Sequence, residues 1–132
     1  MLARVNLRPY TNVEIRRGDL FEALSEDAEP FDAILSNPPY VPTGAIPTLA
    51  REVKDYEPAM ALDGGADGLD IIKRIIEEAP EHLKPQGLLL MEIGFDQGAA
   101  VTELAAQSGE YAEARIMKDL AGRDRIFWAV RR

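Results

Sequence analysis

Phe31-Asp32-Ala33-Ile34-Leu35-Ser36-Asn37-Pro38-Pro39-Tyr40 is the stretch that decides the fold. Phe31 to Ser36 is a compact apolar run, suited to a strand buried on both faces. Two prolines follow it. Proline lacks the N–H that a ladder needs, so the chain must leave the sheet at Asn37. A buried strand that ends in a stiff polar corner is the pattern of open α/β sheets. Their ligands sit beyond the carboxyl ends of the strands.

Reading outward, Leu88 to Ile93 (LLLMEI) is a second buried strand, and it stops at Gly94. Between the two, Ile72, Ile75, Ile76, Ala79 and Leu83 form one apolar stripe at helical spacing, which predicts a helix over 67–83. Asp67 is its expected N-cap, with Asp70 three residues on. Pro80 should kink this helix or start a fresh turn. Pro85-Gln86-Gly87 reads as a turn. A second helix is expected over 96–108, with Ala100, Val101, Leu104 and Ala105 inward and Gly109 as its stop. Tyr111 to Lys118 and Arg125 to Arg131 read as an antiparallel pair at a sheet edge, joined by Asp119 to Asp124. Trp128 belongs to the core or the hairpin face.

Upstream, Val13 to Arg17 is β-branched and weakly alternating, a strand that ends at Gly18-Asp19. Leu20 to Leu24 can form a short helical turn. Residues 41–66 hold Pro42, Gly44, Pro47, Pro58, Gly64 and Gly65 and form a long connection, with a short helix near Leu49 to Lys54. This loop is expected to be the most mobile segment. His82 has no recognisable partner and is expected at the surface. The fold class is α/β, a mostly parallel sheet closed by a C-terminal antiparallel hairpin. With 132 residues, the chain is expected to be one domain, 1–132.

Composition narrows the chemistry. There are no cysteines, which excludes disulfides, thiolate metal sites and a cysteine nucleophile. A single histidine, His82, excludes a His-rich metal centre, and no metal site is expected. Fifteen basic and 23 acidic residues leave a net charge of −8, a poor match to a nucleic-acid backbone, so no stable nucleic-acid binding is expected. No apolar run reaches the length of a membrane span. Residues 1–10 lack the apolar stretch and cleavage site of a secretory signal, so a cytoplasmic location is expected.

Asn37-Pro38-Pro39-Tyr40 is the constellation that carries chemistry. The Asn amide both accepts and donates. The prolines add no competing N–H and hold the neighbouring carbonyls in a stiff extended geometry. Tyr40 adds a flat aromatic wall. Together they make a slot for a planar group bearing an NH₂. The same residues also read as a proline-rich strand exit with an Asn turn, and composition does not separate the two.

FDAILSNPPYVP resembles the motif of class I, S-adenosylmethionine-dependent methyltransferases that act on planar amide or amine nitrogens. These include the DNA adenine enzymes and the glutamine-N5 methyltransferases. Other residues narrow the resemblance: Glu57-Pro58, Ala61-Leu62, Gly64-Gly65, Asp67-Gly68-Leu69, Leu88 to Gly94 with Gln97, Lys118-Asp119-Leu120, Gly122 and Asp124-Arg125. In order and spacing they resemble the HemK/PrmC family, from about Asn6 to Val130. That family methylates the glutamine of the Gly-Gly-Gln loop in peptide chain release factors.

The resemblance implies S-adenosyl-L-methionine as cofactor and a release factor as protein partner. It implies Asn37, Pro38 and Tyr40 as catalytic residues, with Pro39 joining them in binding the substrate. Asp19, Leu20 and Asn37 would contact the cofactor. Glu92 reads as a solvated or hydrogen-bonded carboxylate rather than a general base. The family's glycine-rich cofactor loop and the acidic residue that ends its second strand have no counterpart here. Asp63 to Gly68 matches the family's long loop instead. The resemblance therefore implies a partial Rossmann-like sheet lacking the first two strands, whose exposed edges would favour a homodimer. Two other readings stay open: an adenine-N6 methyltransferase of DNA or RNA, and a non-catalytic methyltransferase fragment.

Overall fold

The computed structural model describes residues 2–48 and 59–132. The short helix expected near Leu49 to Lys54 lies outside the described residues. A helix, α1, covers Leu2–Leu7, and a 3-10 turn covers Leu20–Ala23. Strand β1 (Phe31–Ser36) is followed by a second 3-10 segment, Thr43–Thr48, and a single helical turn, α2 (Ala59–Leu62). Then come α3 (Asp70–His82), β2 (Leu83–Glu92), α4 (Gly98–Ser108), β3 (Tyr111–Lys118) and β4 (Asp124–Arg131). No helix among the described residues is long and apolar enough to cross a membrane.

The four strands form one sheet in the order β1-β2-β4-β3. β1 and β2 are parallel, with Leu35 opposite Leu90 and Ser36 opposite Met91. β4 is antiparallel to both β2 and β3. Three strands therefore run one way, and β4 alone is reversed between β2 and β3. Leu83 pairs with Phe31 and Leu88 with Ala33, so the Pro85-Gln86-Gly87 turn bulges out inside β2 rather than preceding it. Gln86 takes a positive φ of 66° there.

The apolar stripe of α3 is buried as its spacing requires: Ile72, Ile75, Ile76 and Ala79, continued by Leu83. With Val101 and Ala105 of α4, these residues pack on Leu89, Met91, Phe127 and Ala129, which alternate onto one face of the sheet. Both helices thus cover the same face. Leu35 points to the other face and is 72% exposed, and Phe31 is also exposed. The expectation that β1 is buried on both faces is therefore incorrect. Among the described residues β1 pairs only with β2, and nothing covers its second face. Trp128 lies on that second face of the hairpin, with the Arg115 guanidinium over its ring at 5.2 Å.

Three other expectations change. Val13 to Arg17 is irregular, so four strands are present among the described residues where five were expected. A strand needs a ladder to satisfy its backbone. Val13 and Ile15 instead line a cleft with Leu7 and Tyr10. Asp67 is not the N-cap of α3. It accepts the Leu69 N–H at 3.0 Å one turn earlier, and α3 begins at Asp70. His82 is not a free surface residue. Its ring stacks on Phe21 of the first 3-10 turn, with centroids 4.6 Å apart and an interplanar angle of 7°.

Pro80 stays within α3. It cannot donate to the carbonyl one turn back, that of Ile76. The Tyr111 hydroxyl, arriving from the start of β3, donates to that carbonyl at 2.7 Å. Burial, then the nearby Glu110 charge, pushes the Tyr111 phenol up, so it remains a donor across the working pH range. Tyr111→Phe leaves the carbonyl without this donor in a buried setting. The expected loss is about 1–3 kcal/mol of unfolding free energy, read from urea melts. A loss below about 0.5 kcal/mol would mean that water replaces the hydroxyl freely.

Candidate active site

The prolines do at the end of β1 what their chemistry dictates: the ladder stops at Ser36 and the chain turns outward. Asn37 is exposed there, Pro38 is buried, and Pro39 and Tyr40 are half-buried. Among the described residues no group bonds to the Asn37 amide. The Pro38 carbonyl accepts no backbone hydrogen bond from them either. Asn37 lines a cavity of about 320 Å³ with Ser36, Met91, Glu92 and Ile126.

The corner is clamped from outside by the glycine-rich segment 63–68. Val41 donates to Leu62 O at 2.9 Å, and Gly64 donates to Val41 O at 2.8 Å. Val41 and Asp63 form an isolated parallel bridge. Asp63 Oδ1 accepts from Thr43 Oγ1 at 2.6 Å and from the Gly65 N–H at 3.0 Å. These two bonds, the Thr43 one foremost, hold the Asp63 carboxyl below its usual range. Gly68 runs so close that a Cβ on it would lie 2.3 Å from Tyr40 O. Segment 63–68 is therefore a backbone clamp on the corner.

Gln97 holds the corner from inside. It is 6% exposed and is the buried polar side chain among the described residues. Its Nε2 donates to Tyr40 O at 3.0 Å and to Gly68 O at 3.3 Å, and its Oε1 accepts from the Gly94 N–H at 2.8 Å. One amide thus ties together the corner, the clamp and the end of β2. Gln97→Leu leaves three backbone groups without these partners, two buried and one part-buried, each able to cost up to about 1–3 kcal/mol. A loss of about 2–4 kcal/mol in urea melts is expected, below the simple sum because the loops relax.

The Tyr40 hydroxyl donates to Glu92 Oε1 at 3.1 Å. Burial first, then the bond to Glu92 and its charge, raise the Tyr40 phenol. Arg125 Nη1 stands 3.6 Å from the same Glu92 oxygen, and Nη2 pairs with Asp119 Oδ2 at 3.2 Å. Asp119 also accepts N–H bonds from Ala121 and Arg123 in the β3–β4 turn. The Arg123 bond foremost, with Arg125, holds its carboxyl below the usual range. Gln97, Asp119 and Arg125 are among the residues that carry the family resemblance, but their order and spacing do not say that they meet at one corner.

The residues expected at the cofactor are only partly gathered. Leu20, at a positive φ of 50°, lines an apolar cavity of about 320 Å³ with Phe21, Ile34, Ser36 and Ile75. Ser36 also lines the cavity that holds Asn37, so Leu20 and Asn37 flank the same strand end. Asp19 is exposed, and its carboxylate is engaged by Arg74 of α3, with Oδ1 at 3.2 Å and Oδ2 at 3.1 Å.

An open, mostly parallel sheet with one reversed strand and a polar corner at the strand ends has the pattern of a class I methyltransferase fold. A methyltransferase from Pyrococcus furiosus has the same fold, with a TM-score of 0.65 at 21% identity, over 97% of this chain and 55% of that one. A release factor-specific protein-(glutamine-N5) methyltransferase from Alicyclobacillus acidocaldarius matches 77% of this chain and 49% of its own, with a TM-score of 0.50 at 28% identity. In sequence, the release factor glutamine methyltransferase of Gloeobacter violaceus is 43% identical over 129 residues, 96% of this chain and 44% of that protein. That of Moorella thermoacetica is 50% identical over 101 residues, 76% of this chain and 35% of that protein. No protein-family model matches. Over most of its length the chain is thus similar to release factor glutamine methyltransferases, and it spans less than half the length of these curated relatives.

Proposed function

We propose that the chain is part of the catalytic domain of an S-adenosylmethionine-dependent methyltransferase. Its substrate is the glutamine side-chain amide in the Gly-Gly-Gln loop of a peptide chain release factor. The observation that carries this reading is the clamped corner, with an unengaged Asn37 amide and Pro38 carbonyl and with the Tyr40 hydroxyl held by Glu92, which lines the same cavity as Asn37.

An amide nitrogen is a weak nucleophile because its lone pair is delocalised into the carbonyl. Asn37 Oδ1 and the Pro38 carbonyl accept its two hydrogens and orient the nitrogen. Both bonds strengthen as that nitrogen becomes positive, so they lower the barrier rather than merely bind substrate. Tyr40 packs on the amide plane. The surplus proton then leaves to water. S-adenosylmethionine, when bound, supplies the electrophilic methyl group. The apolar cavity at Leu20, Phe21 and Ile34 suits one face of a purine ring, while Asp19 must exchange its Arg74 pair to contact the adenine end of the cofactor. Leu20 and Asn37 are therefore the residues here that fit the cofactor as they stand.

The test uses an enzyme in which this segment replaces the matching part of the Gloeobacter violaceus relative. Tritiated methyl transfer is measured to a release factor and to adenine-containing DNA. Label on the release-factor glutamine is the expected result. Label on adenine, or on neither, overturns the reading.

A further inference from the structure

Tyr40 is gripped twice from the end of β2 and the turn after it. Its carbonyl accepts from Gln97, and its hydroxyl donates to Glu92. A tyrosine on a loop exit can otherwise swing about two side-chain torsions. With the backbone and the phenol both fixed, the ring's position is set, and because a phenolic O–H prefers the plane of its ring, the acceptor at Glu92 also biases that plane. The ring is the surface on which a planar amide must lie, and a small error in that plane misaligns the reacting atoms.

Glu92 is itself held. An ionised carboxylate can only accept, so its bond to Tyr40 has one sense. The Arg125 guanidinium faces the same Oε1, and Asp119 balances Arg125 from the other side. That oxygen is engaged by two partners, which leaves it poorly placed to take a proton from substrate. We propose that Glu92 is a positioning residue for methyl transfer, orienting the Tyr40 ring through the phenol bond. The inference rests on the reading of this corner as a methyl-transfer site.

The experiment compares Glu92→Gln, Glu92→Ala, Tyr40→Phe and the double variant Glu92→Ala/Tyr40→Phe in the chimeric enzyme. Gln keeps an acceptor oxygen. Glu92→Ala and Tyr40→Phe should each lower kcat about tenfold, with the KM for S-adenosylmethionine little changed, while Glu92→Gln should lower kcat no more than about threefold. The double variant should be no slower than either single, because both remove the same bond. Glu92→Gln as damaging as Glu92→Ala would instead make the charge itself chemical. Losses that multiply in the double variant would mean that Glu92 does not act through Tyr40.

A second readout needs no catalysis. In this chain with ring-labelled tyrosines, the Tyr40 phenol titration is followed by NMR and assigned with Tyr40→Phe. Glu92→Gln should lower it, because Glu92 holds it up. An unmoved titration overturns the proposal even when the unmutated enzyme methylates release factor. A shifted titration in an enzyme that methylates nothing would sink the methyltransferase reading and leave the Glu92–Tyr40 coupling standing.

Discussion

Asn37→Ala lowers the methyl-transfer rate of the chimeric enzyme about a hundredfold or more, a loss of roughly 2–4 kcal/mol of transition-state stabilisation. The effect is differential. In the ground state Asn37 Oδ1 accepts one amide hydrogen, an interaction that water can nearly replace. In the transition state the nitrogen carries developing positive charge, and the oriented acceptor gains strength in step with it. S-adenosylmethionine binding, followed by calorimetry, should therefore weaken far less than kcat falls. Asn37→Asp keeps an acceptor oxygen and should retain more activity than Asn37→Ala. Tyr40→Phe should also be milder, because the ring remains and only its tether is lost. Equal losses in calorimetric affinity and kcat for Asn37→Ala would assign Asn37 to ground-state binding alone.

Gly68→Ala is expected to have the largest effect on stability. Gly68 has φ +78°, in the left-handed region. Its Cβ would lie 2.3 Å from Tyr40 O and 2.9 Å from Gln97 Nε2. The first of these neighbours is backbone and the second is a buried, fully used amide, so neither can step aside. Backbone strain of about 1–3 kcal/mol adds to an overpacking cost of similar size, for a total of about 2–6 kcal/mol. A domain of this size has about 5–15 kcal/mol in all. Gly109→Ala is the internal control. Gly109 has φ +70°, but nothing lies within 4 Å of its would-be Cβ. It should lose only about 1 kcal/mol in the same urea melts. Equal losses at the two positions would mean that the close approach to Tyr40 is not what demands glycine at position 68.

Much of this arrangement was legible in the residues. The stripe from Ile72 to Leu83 had to bury one helix face, and it does. Gly109 closes α4 in the left-handed conformation, as a C-terminal glycine is expected to do. Asn37-Pro38-Pro39 had to end a strand, because two successive residues without N–H groups cannot extend a ladder. The site was legible as a set of residue types, but not as a network. Tyr40 reads as an aromatic wall, and nothing local says that its hydroxyl has an acceptor 52 residues away. Segment 63–68 reads as glycine-rich, but glycine marks only that something comes close, not what.

Local chemistry by itself determined the order of β1, α3, β2, α4, β3 and β4, the buried face of α3 and α4, and the place where the chain leaves the sheet. These follow from periodicity and from missing N–H groups, which act within a few residues. Tertiary structure alone decided the rest. It left Val13 to Arg17 irregular, since a strand exists only with a partner. It exposed Leu35, because both helices chose the other face. It supplied the Tyr111 hydroxyl to Ile76 O and placed His82 on Phe21. It also joined Tyr40 of the corner, Glu92 at the end of β2, Asp119 of the β3–β4 turn and Arg125 of β4. Each of these depends on which distant groups meet once the core has closed, and single-residue preferences carry no record of that meeting.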